Sequence, residues 1–354
     1  MKNSDTYENP AIAIWEITLQ CNLKCLHCGS SAGNARPDEL TTKEALQLCR
    51  DLRDLGFKGI SLMGGEVFLR KDWEVLSKEI KDLGMTLSII TNGFFKPDTI
   101  IPKLVRLKTD CLMIGFDGAS PRTQDHIRGV NGAYKKTKEF ILAAKKAGLP
   151  IAIITTVYKQ NFETLPEIKE FVVSEEIDWQ IQEATPIGRF PKQQLLSETE
   201  YYSLGLFILS LQKRYANANF HITGAHNFGF HSRIIPALSP YSEWKGCYAG
   251  KTILGIQSNG DIKGCLALSD EFIEDNIKNR NIKDIWNDPK AFAYNRTFTS
   301  KNLGPNCTSC EYRENCKGGC ITRSSSITGI PHNDPFCFHR IEKKMSIKPH
   351  SRKG

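Results

Sequence analysis

The sequence predicts an α/β protein built on parallel strands. Between Ile12 and Gln182, short apolar runs alternate six times with segments of helical period. Such alternation joins parallel strands through right-handed crossovers, giving either a barrel or an open wound sheet. The residues of this half that could do chemistry fall just past strand ends, where a (β/α) barrel builds its mouth. A chain of 354 residues with 40% hydrophobic content exceeds the size at which one core usually stops growing, so two domains are expected.

The elements follow in order. Ile12 to Thr18 is a strand, Thr41 to Leu55 a helix opened by a threonine cap, Gly59 to Met63 a strand, and Asp72 to Leu83 a helix capped by Asp72. Further strands are predicted at Thr86 to Ile90, Cys111 to Phe116, Ile151 to Val157 and Trp179 to Gln182. Helices lie between them near Pro97 to Leu107, Ala133 to Ala147 and Thr164 to Ser174. Beyond these, SETEYYSLGLFILSLQKRYAN reads as a helix capped by Ser197 that bridges to the second domain.

Composition bounds the setting. The chain has twelve cysteines, which in a secreted protein would suggest disulfides, but MKNSDTYENP carries no basic region followed by an apolar stretch. No window reaches the length of a membrane span. The chain therefore reads as cytoplasmic, with reduced cysteines serving as metal ligands. The net charge of +8 does not imply nucleic acid, because basic residues mostly alternate with acidic ones, as in KKTKEFILAAKKAG. Only the end, RIEKKMSIKPHSRKG, is one-signed, with six Lys or Arg against one Glu, and 341–354 is expected to be a disordered tail.

The most informative feature is QCNLKCLHCG, with Cys21, Cys25 and Cys28 directly after the first strand. Four thiolates complete an iron-sulfur cube, whereas three on one tight loop leave one iron without a protein partner and free to bind substrate or cofactor. Zinc is the competing reading, since His27 could complete a tetrahedral set, although the three-residue gap between Cys21 and Cys25 is unusual for zinc fingers. Gly64-Gly65-Glu66 follows the second strand and Thr91-Asn92-Gly93 the third. Taken alone, the glycine pair could be a tight turn and Asn-Gly a turn dipeptide.

Together these motifs make the chain resemble the radical S-adenosylmethionine (SAM) superfamily. The resemblance implies a partial, six-stranded TIM-like barrel, (β/α)6, and a 4Fe-4S cluster whose open iron is chelated by the amino and carboxylate groups of SAM. By the same resemblance, Gly64 and Gly65 let the backbone approach the methionine amino group and Glu66 accepts its hydrogen bond. Val67 stands where the family more often has proline. Thr91 and Asn92 would contact the ribose or methionine part, and His27 would stack near adenine. In IGFDGASPRTQDHIRG, Asp117, Gly118 and Arg128 match the family, and a guanidinium fork suits the methionine carboxylate. The usual strand-end serine is replaced by Gly115, and Asp117 could equally serve as a turn or capping residue. Cys49 and Cys111 read as buried small hydrophobes.

A second cysteine set lies downstream: Cys247, Cys265, Cys307, Cys310, Cys316, Cys320 and Cys337. Two closed zinc sites would need eight ligands, so seven thiols fit them poorly. The order resembles the SPASM domain, a small cysteine-rich α+β extension that carries auxiliary iron-sulfur clusters. A hairpin around Ser258-Asn259-Gly260-Asp261 would carry Cys247 and Cys265 on its arms. The resemblance implies two auxiliary 4Fe-4S clusters, Cys247, Cys265 and Cys320 holding the first and Cys307, Cys310, Cys316 and Cys337 the second. The first lacks a fourth cysteine; Tyr241, Glu243 or a remote residue would serve, or that iron too is open. His221, His226 and His231, spaced five apart, share no helical face and take no ligand role.

The expected domains are thus 1–190 for the barrel, 191–246 for a helical bridge, 247–340 for the SPASM region and 341–354 for the tail. The family chemistry is reductive cleavage of SAM to a 5'-deoxyadenosyl radical that abstracts a substrate hydrogen, the protein supplying orientation and excluding water. Relatives with this extension most often modify peptides or proteins, so a peptide or protein substrate leads, with flavodoxin or ferredoxin as electron donor. About ten residues precede the first strand, so leader recognition is expected from a separate protein or the barrel itself. The alternatives are radical modification of a small molecule such as a tetrapyrrole side chain, with Arg189 as a carboxylate partner or a plain surface residue, and a non-enzymatic metal-binding protein. No nucleic acid or membrane partner is expected.

Overall fold

The computed structural model describes residues 11–225, 228, 230–235, 238–239 and 244–346. Six strands form the predicted series: β1 (Ile12–Thr18), β2 (Gly59–Gly64), β3 (Thr86–Thr91), β4 (Cys111–Gly115), β5 (Ile151–Val157) and β6 (Asp178–Glu183). They are joined by α1 (Thr42–Asp54), α2 (Trp73–Asp82), α3 (Pro97–Arg106), α4 (Pro121–Arg128), α5 (Ala133–Lys146), α6 (Lys159–Phe162) and α7 (Leu165–Ser174). All six strands run parallel in sequence order, so every strand's C-terminal end opens on the same side. This is the partial barrel of an α/β fold, and its edges do not pair with each other.

The sheet extends beyond the six predicted strands. After α8 (Glu198–Arg214), β7 (Ile222–Gly224) adds parallel to β6, and β8 (Ile253–Ile256) adds parallel to β1 on the opposite edge. β9 (Asp261–Lys263) and β10 (Asp275–Asn276) continue antiparallel, giving the order β10-β9-β8-β1-β2-β3-β4-β5-β6-β7. Thus the hairpin read from Ser258 to Asp261 exists, with Gly260 at φ 97°, and its first arm lengthens the barrel sheet. Buried Glu16 of β1 fastens it, accepting from Ser258 Oγ at 3.1 Å and pairing with Arg36 at 2.8 Å. Cys265 follows the second arm closely, but Cys247 lies upstream of β8 rather than on it.

The cysteine-rich remainder holds α9 (Ile282–Asn287), α10 (Ala293–Arg296), α11 (Arg313–Cys316), α12 (Ile321–Thr328) and α13 (Phe338–Lys344). α13 corrects the expectation for the tail: residues 341–344 are helical, Ile341 is fully buried, and Arg340 and Lys344 pair with Glu198 of α8 at 3.2 and 2.7 Å. The last eight residues lie outside the described ones.

Local signals explain most element ends. Thr41 and Ser197 form capping boxes with Glu44 and Glu200. Asp72, expected to cap α2, makes no cap hydrogen bond; its carboxylate is held by Arg70 and Thr42 instead. Helix α4, absent from the sequence reading, starts at a Ser120 cap and stops at Gly129, whose φ of 70° suits glycine. The core runs through Trp15, Ile17, Leu62, Ile89, Ile114, Ile153 and Ile181 with the inner faces of the helices, including Cys49. Cys111 is only half-buried, on the outward-alternating face of β4.

Candidate active site and iron-sulfur centres

The cysteine loop leaves the end of β1 and is clamped from several sides. Glu39 accepts from Leu19 N–H at 2.7 Å and from Thr18 Oγ at 3.1 Å. Gly65 and Glu66 donate their backbone N–H groups to Thr18 and Gln20 carbonyls at 2.8 and 2.7 Å. A Cβ on Gly65 would lie 2.2 Å from Gln20 O, and one on Gly64 2.2 Å from Thr18 O. The close approach these glycines permit is therefore between the second motif and the start of the cysteine loop. Arg189 is exposed, as a surface residue would be, and it donates to Cys25 O and Ala32 O at 3.3 and 2.6 Å, securing the loop's backbone.

The three sulfurs receive N–H donors: Leu23 N to Cys21 at 3.4 Å, Ala32 N to Cys28 at 3.3 Å, Arg128 Nη1 to Cys25 at 3.7 Å and Asn92 Nδ2 to Cys21 at 3.9 Å. Donors aimed at sulfur stabilise metal-bound thiolates and tune cluster potential. Without a metal, burial pushes the Cys21 thiol up to about 11 and raises Cys25 as well. Among the described residues no three ligating side chains converge on a single-ion position. A tetrahedral zinc site needs such convergence. A cubane instead asks each thiolate to reach its own iron.

Glu66, 1% exposed, joins the motifs after β2 and β3. It accepts from Thr91 Oγ at 2.9 and 3.0 Å, from Asn92 N at 2.8 Å and from Phe68 N at 3.3 Å. Burial still lifts its carboxyl to about 7. Asn92 then donates to Asn22 Oδ1 at 2.8 Å, returning the network to the cysteine loop.

Past β4, Asp117 and Arg128 form a buried ion pair at 2.6 Å. Asp117 is neither a free turn residue nor the cap of α4: its Oδ1 accepts from Thr156 N at 2.8 Å, tying β4 to β5. The space of the missing serine is taken by Arg128, since a Cβ on Gly115 would lie 2.4 Å from its Nη2. His27 is buried against this pair, its Nε2 3.5 Å from Asp117 Oδ2 and its ring 6.0 Å from that of Tyr158. Burial holds the imidazole below its usual range, favouring the neutral form.

In the second set, Cys307, Cys310, Cys316 and Cys337 all line one cavity of about 290 Å³. Cys247 and Cys265 pack with Ala249, Leu268 and Ile321, beside buried Cys320. Backbone N–H groups of Ala249 and Ile321 favour the Cys247 thiolate, while burial raises all three Cys247, Cys316 and Cys320 thiols. The described part of the preceding stretch begins again at Trp244, so Tyr241 and Glu243 lie outside it, as does His226. His221 pairs with Asp178 at 3.4 Å and His231 stacks on Tyr312 at 4.4 Å.

Sequence reasoning missed a buried charge cluster linking the barrel mouth to these cysteines. Arg323, fully buried, donates to Glu183 at the end of β6 at 2.7 Å, to Asp334 at 2.8 and 2.7 Å, and to Phe336 O at 2.7 Å. Asp334 also accepts from Cys320 N at 3.1 Å. The available signal was an Arg three residues past one cysteine and an Asp three before another. Tyr158 and Asn22 carry no signal beyond their position near strand ends, and Glu39 none beyond its place just before α1.

Two family models match the chain: the radical SAM superfamily over residues 15–172, and an iron-sulfur cluster-binding domain, SPASM, over residues 247–311. With the thiolate trio and the barrel in place, the chain belongs to the radical SAM superfamily and is a radical SAM enzyme. Within it, the chain carries the SPASM region and hence auxiliary iron-sulfur binding. It is 28% identical to an AdoMet-dependent heme synthase of Methanosarcina barkeri, over 95% of this chain and 98% of that protein. It is 26% identical to a PqqA peptide cyclase of Xanthomonas axonopodis, over 93% and 87%. Its fold matches anSMEcpe, solved with AdoMet and a Cp18Cys peptide, at a TM-score of 0.72 and 16% identity over 95% of both chains. No helix among the described residues is long and apolar enough to cross a membrane.

Proposed function

We propose that this enzyme oxidises a peptide or protein substrate by hydrogen abstraction, with two auxiliary 4Fe-4S clusters accepting the electron left on the substrate. Cys21, Cys25 and Cys28 would hold the N-terminal cluster, and Glu66, Thr91, Asn92, Asp117, Arg128 and His27 would contact the SAM bound to it. That cluster, once reduced, supplies the 5'-deoxyadenosyl radical. The chain's own residues fix the geometry: Glu66 and Asn92 lock the loops after β2 and β3 to the cysteine loop, and Arg128 stands beside Cys25 with its charge balanced by Asp117. Such locking places one substrate C–H bond against the radical.

The observation that supports the reading is the cavity of about 290 Å³ lined by Cys307, Cys310, Cys316 and Cys337, which offers four thiols to an electron-carrying centre. The first auxiliary centre, of Cys247, Cys265 and Cys320, would be linked to Glu183 at the barrel mouth through Asp334, which accepts from Cys320 N, and Arg323. The peptide cyclase among the relatives supports the substrate class. An acidic flavodoxin or ferredoxin is the fitting reductant for a chain of charge +8. Mass spectrometry of a co-expressed candidate peptide tests this: loss of two hydrogens is expected, and an unaltered peptide beside active SAM cleavage would contradict it.

A tetrapyrrole substrate is the second reading, favoured by the heme synthase that matches 98% of its own length. Incubation with propionate-bearing tetrapyrroles separates the two, since release of carbon dioxide would select it.

A further inference from the structure

The first auxiliary centre has three cysteines and needs a fourth group. Tyr294 packs in the same small cluster as two of them, Cys247 and Cys265, and as Ile321, the residue after Cys320. Phe272 meets the ring edge-on at 5.0 Å. The hydroxyl is fully buried and has no hydrogen-bond partner among the described residues. The amide of Gly264 lies beside it without hydrogen-bond geometry, and its electrostatic neighbours include the Cys247 and Cys265 sulfurs. A buried hydroxyl left unmatched is unfavourable, so its place among thiols asks for a partner.

The surroundings hold this hydroxyl in place. Asn295, the next residue, donates to Cys247 O at 2.8 Å and Ala249 O at 2.7 Å, and Arg296 donates to Gly250 O at 2.6 Å. On the other side, His332 Nε2 lies 2.6 Å from Tyr294 O. The short helix α10 is thereby pinned to the backbone around Cys247. A Cβ on Gly264 would lie 2.2 Å from the phenolic oxygen, so the glycine before Cys265 is what makes room for it.

We propose that Tyr294 is the fourth ligand of the first auxiliary cluster, its phenolate oxygen binding the iron that Cys247, Cys265 and Cys320 leave uncovered. The assignment rests on reading those three cysteines as ligands of one cluster. One Fe–O bond forms, the O–H bond breaks and the proton leaves to solvent; no electron is transferred. The ligated cluster then has no open iron, and its role is to carry electrons rather than to bind substrate.

Resonance Raman spectroscopy of the anaerobically reconstituted holoprotein tests this, with SAM present to occupy the N-terminal cluster. Protein grown on ring-deuterated tyrosine shows label-sensitive iron-phenolate bands, and Tyr294→Phe, which keeps the ring packed on Phe272, loses them. Tyr241→Phe retains them. Absence of tyrosine-sensitive bands in the parent enzyme, their survival in Tyr294→Phe, or their loss in Tyr241→Phe instead would overturn the assignment. Iron and sulfide sufficient only for the other two clusters, at about four irons per cubane, would overturn both the assignment and the cluster reading beneath it.

Discussion

Replacing Arg323 with leucine isolates the link between the barrel mouth and the auxiliary cysteines. The guanidinium is 0% exposed and makes four contacts of 2.7 to 2.8 Å, three to the carboxylates of Glu183 and Asp334 and one to Phe336 O. Removing it takes this guanidinium away from two buried carboxylates. Breaking a buried pair in this way costs about 3–5 kcal/mol, whereas replacing the whole group by apolar residues is often neutral or stabilising. Arg323→Leu is therefore expected to lose about 3–5 kcal/mol in anaerobic urea unfolding. The triple variant with Glu183→Leu and Asp334→Leu should recover most of that loss. Because Asp334 also holds Cys320 N, the single variant should retain less auxiliary iron than the N-terminal cluster does. A single variant within about 1 kcal/mol of the parent would show that the buried cluster contributes no more than an exposed pair.

Further outcomes follow from the same geometry. Burial lifts Glu183 from an ordinary 4.5 to about 7. With its folded pKa raised, its contribution is fully present below about 4.5 and is lost as pH rises through about 7; Glu183→Gln should flatten stability across that window. Gly115→Ser puts a Cβ 2.4 Å from Arg128 Nη2, and if overpacking of about 1–3 kcal/mol falls on the bound state, SAM binding, measured by anaerobic calorimetry, should weaken by about 5- to 150-fold. Gly65→Ala meets backbone at 2.2 Å, which cannot yield as a side chain could, so iron at the N-terminal site should fall while the auxiliary clusters remain.

The six central strands were legible because each is a short apolar run bounded by turn residues, and their common direction placed every motif on one side. β7 and β8 were not legible: three or four residues carry too little pattern, and what makes them strands is the exposed edge of β6 or β1 beside them. Helix α4 escaped for a related reason, since PRTQDHIR is mostly polar and is helical because Ser120 caps it and Ile127 and Arg128 are buried. At the site, cysteine spacing named the ligands, because a metal imposes spacing on sequence. The partners of those ligands are long-range. Glu66 meets Asn92, Arg128 meets Asp117 and Arg323 meets Glu183 across loops whose juxtaposition exists only after folding.

The proposed chemistry depends on an incompletely ligated iron at Cys21, Cys25 and Cys28 that binds SAM. Electron paramagnetic resonance of the dithionite-reduced, reconstituted enzyme addresses it directly. Adding SAM should alter the signal of one cluster, and that cluster should be missing in the Cys21→Ala, Cys25→Ala, Cys28→Ala variant while the auxiliary signals persist. A spectrum unchanged by SAM, or protein that takes up stoichiometric zinc and no sulfide, would contradict the account.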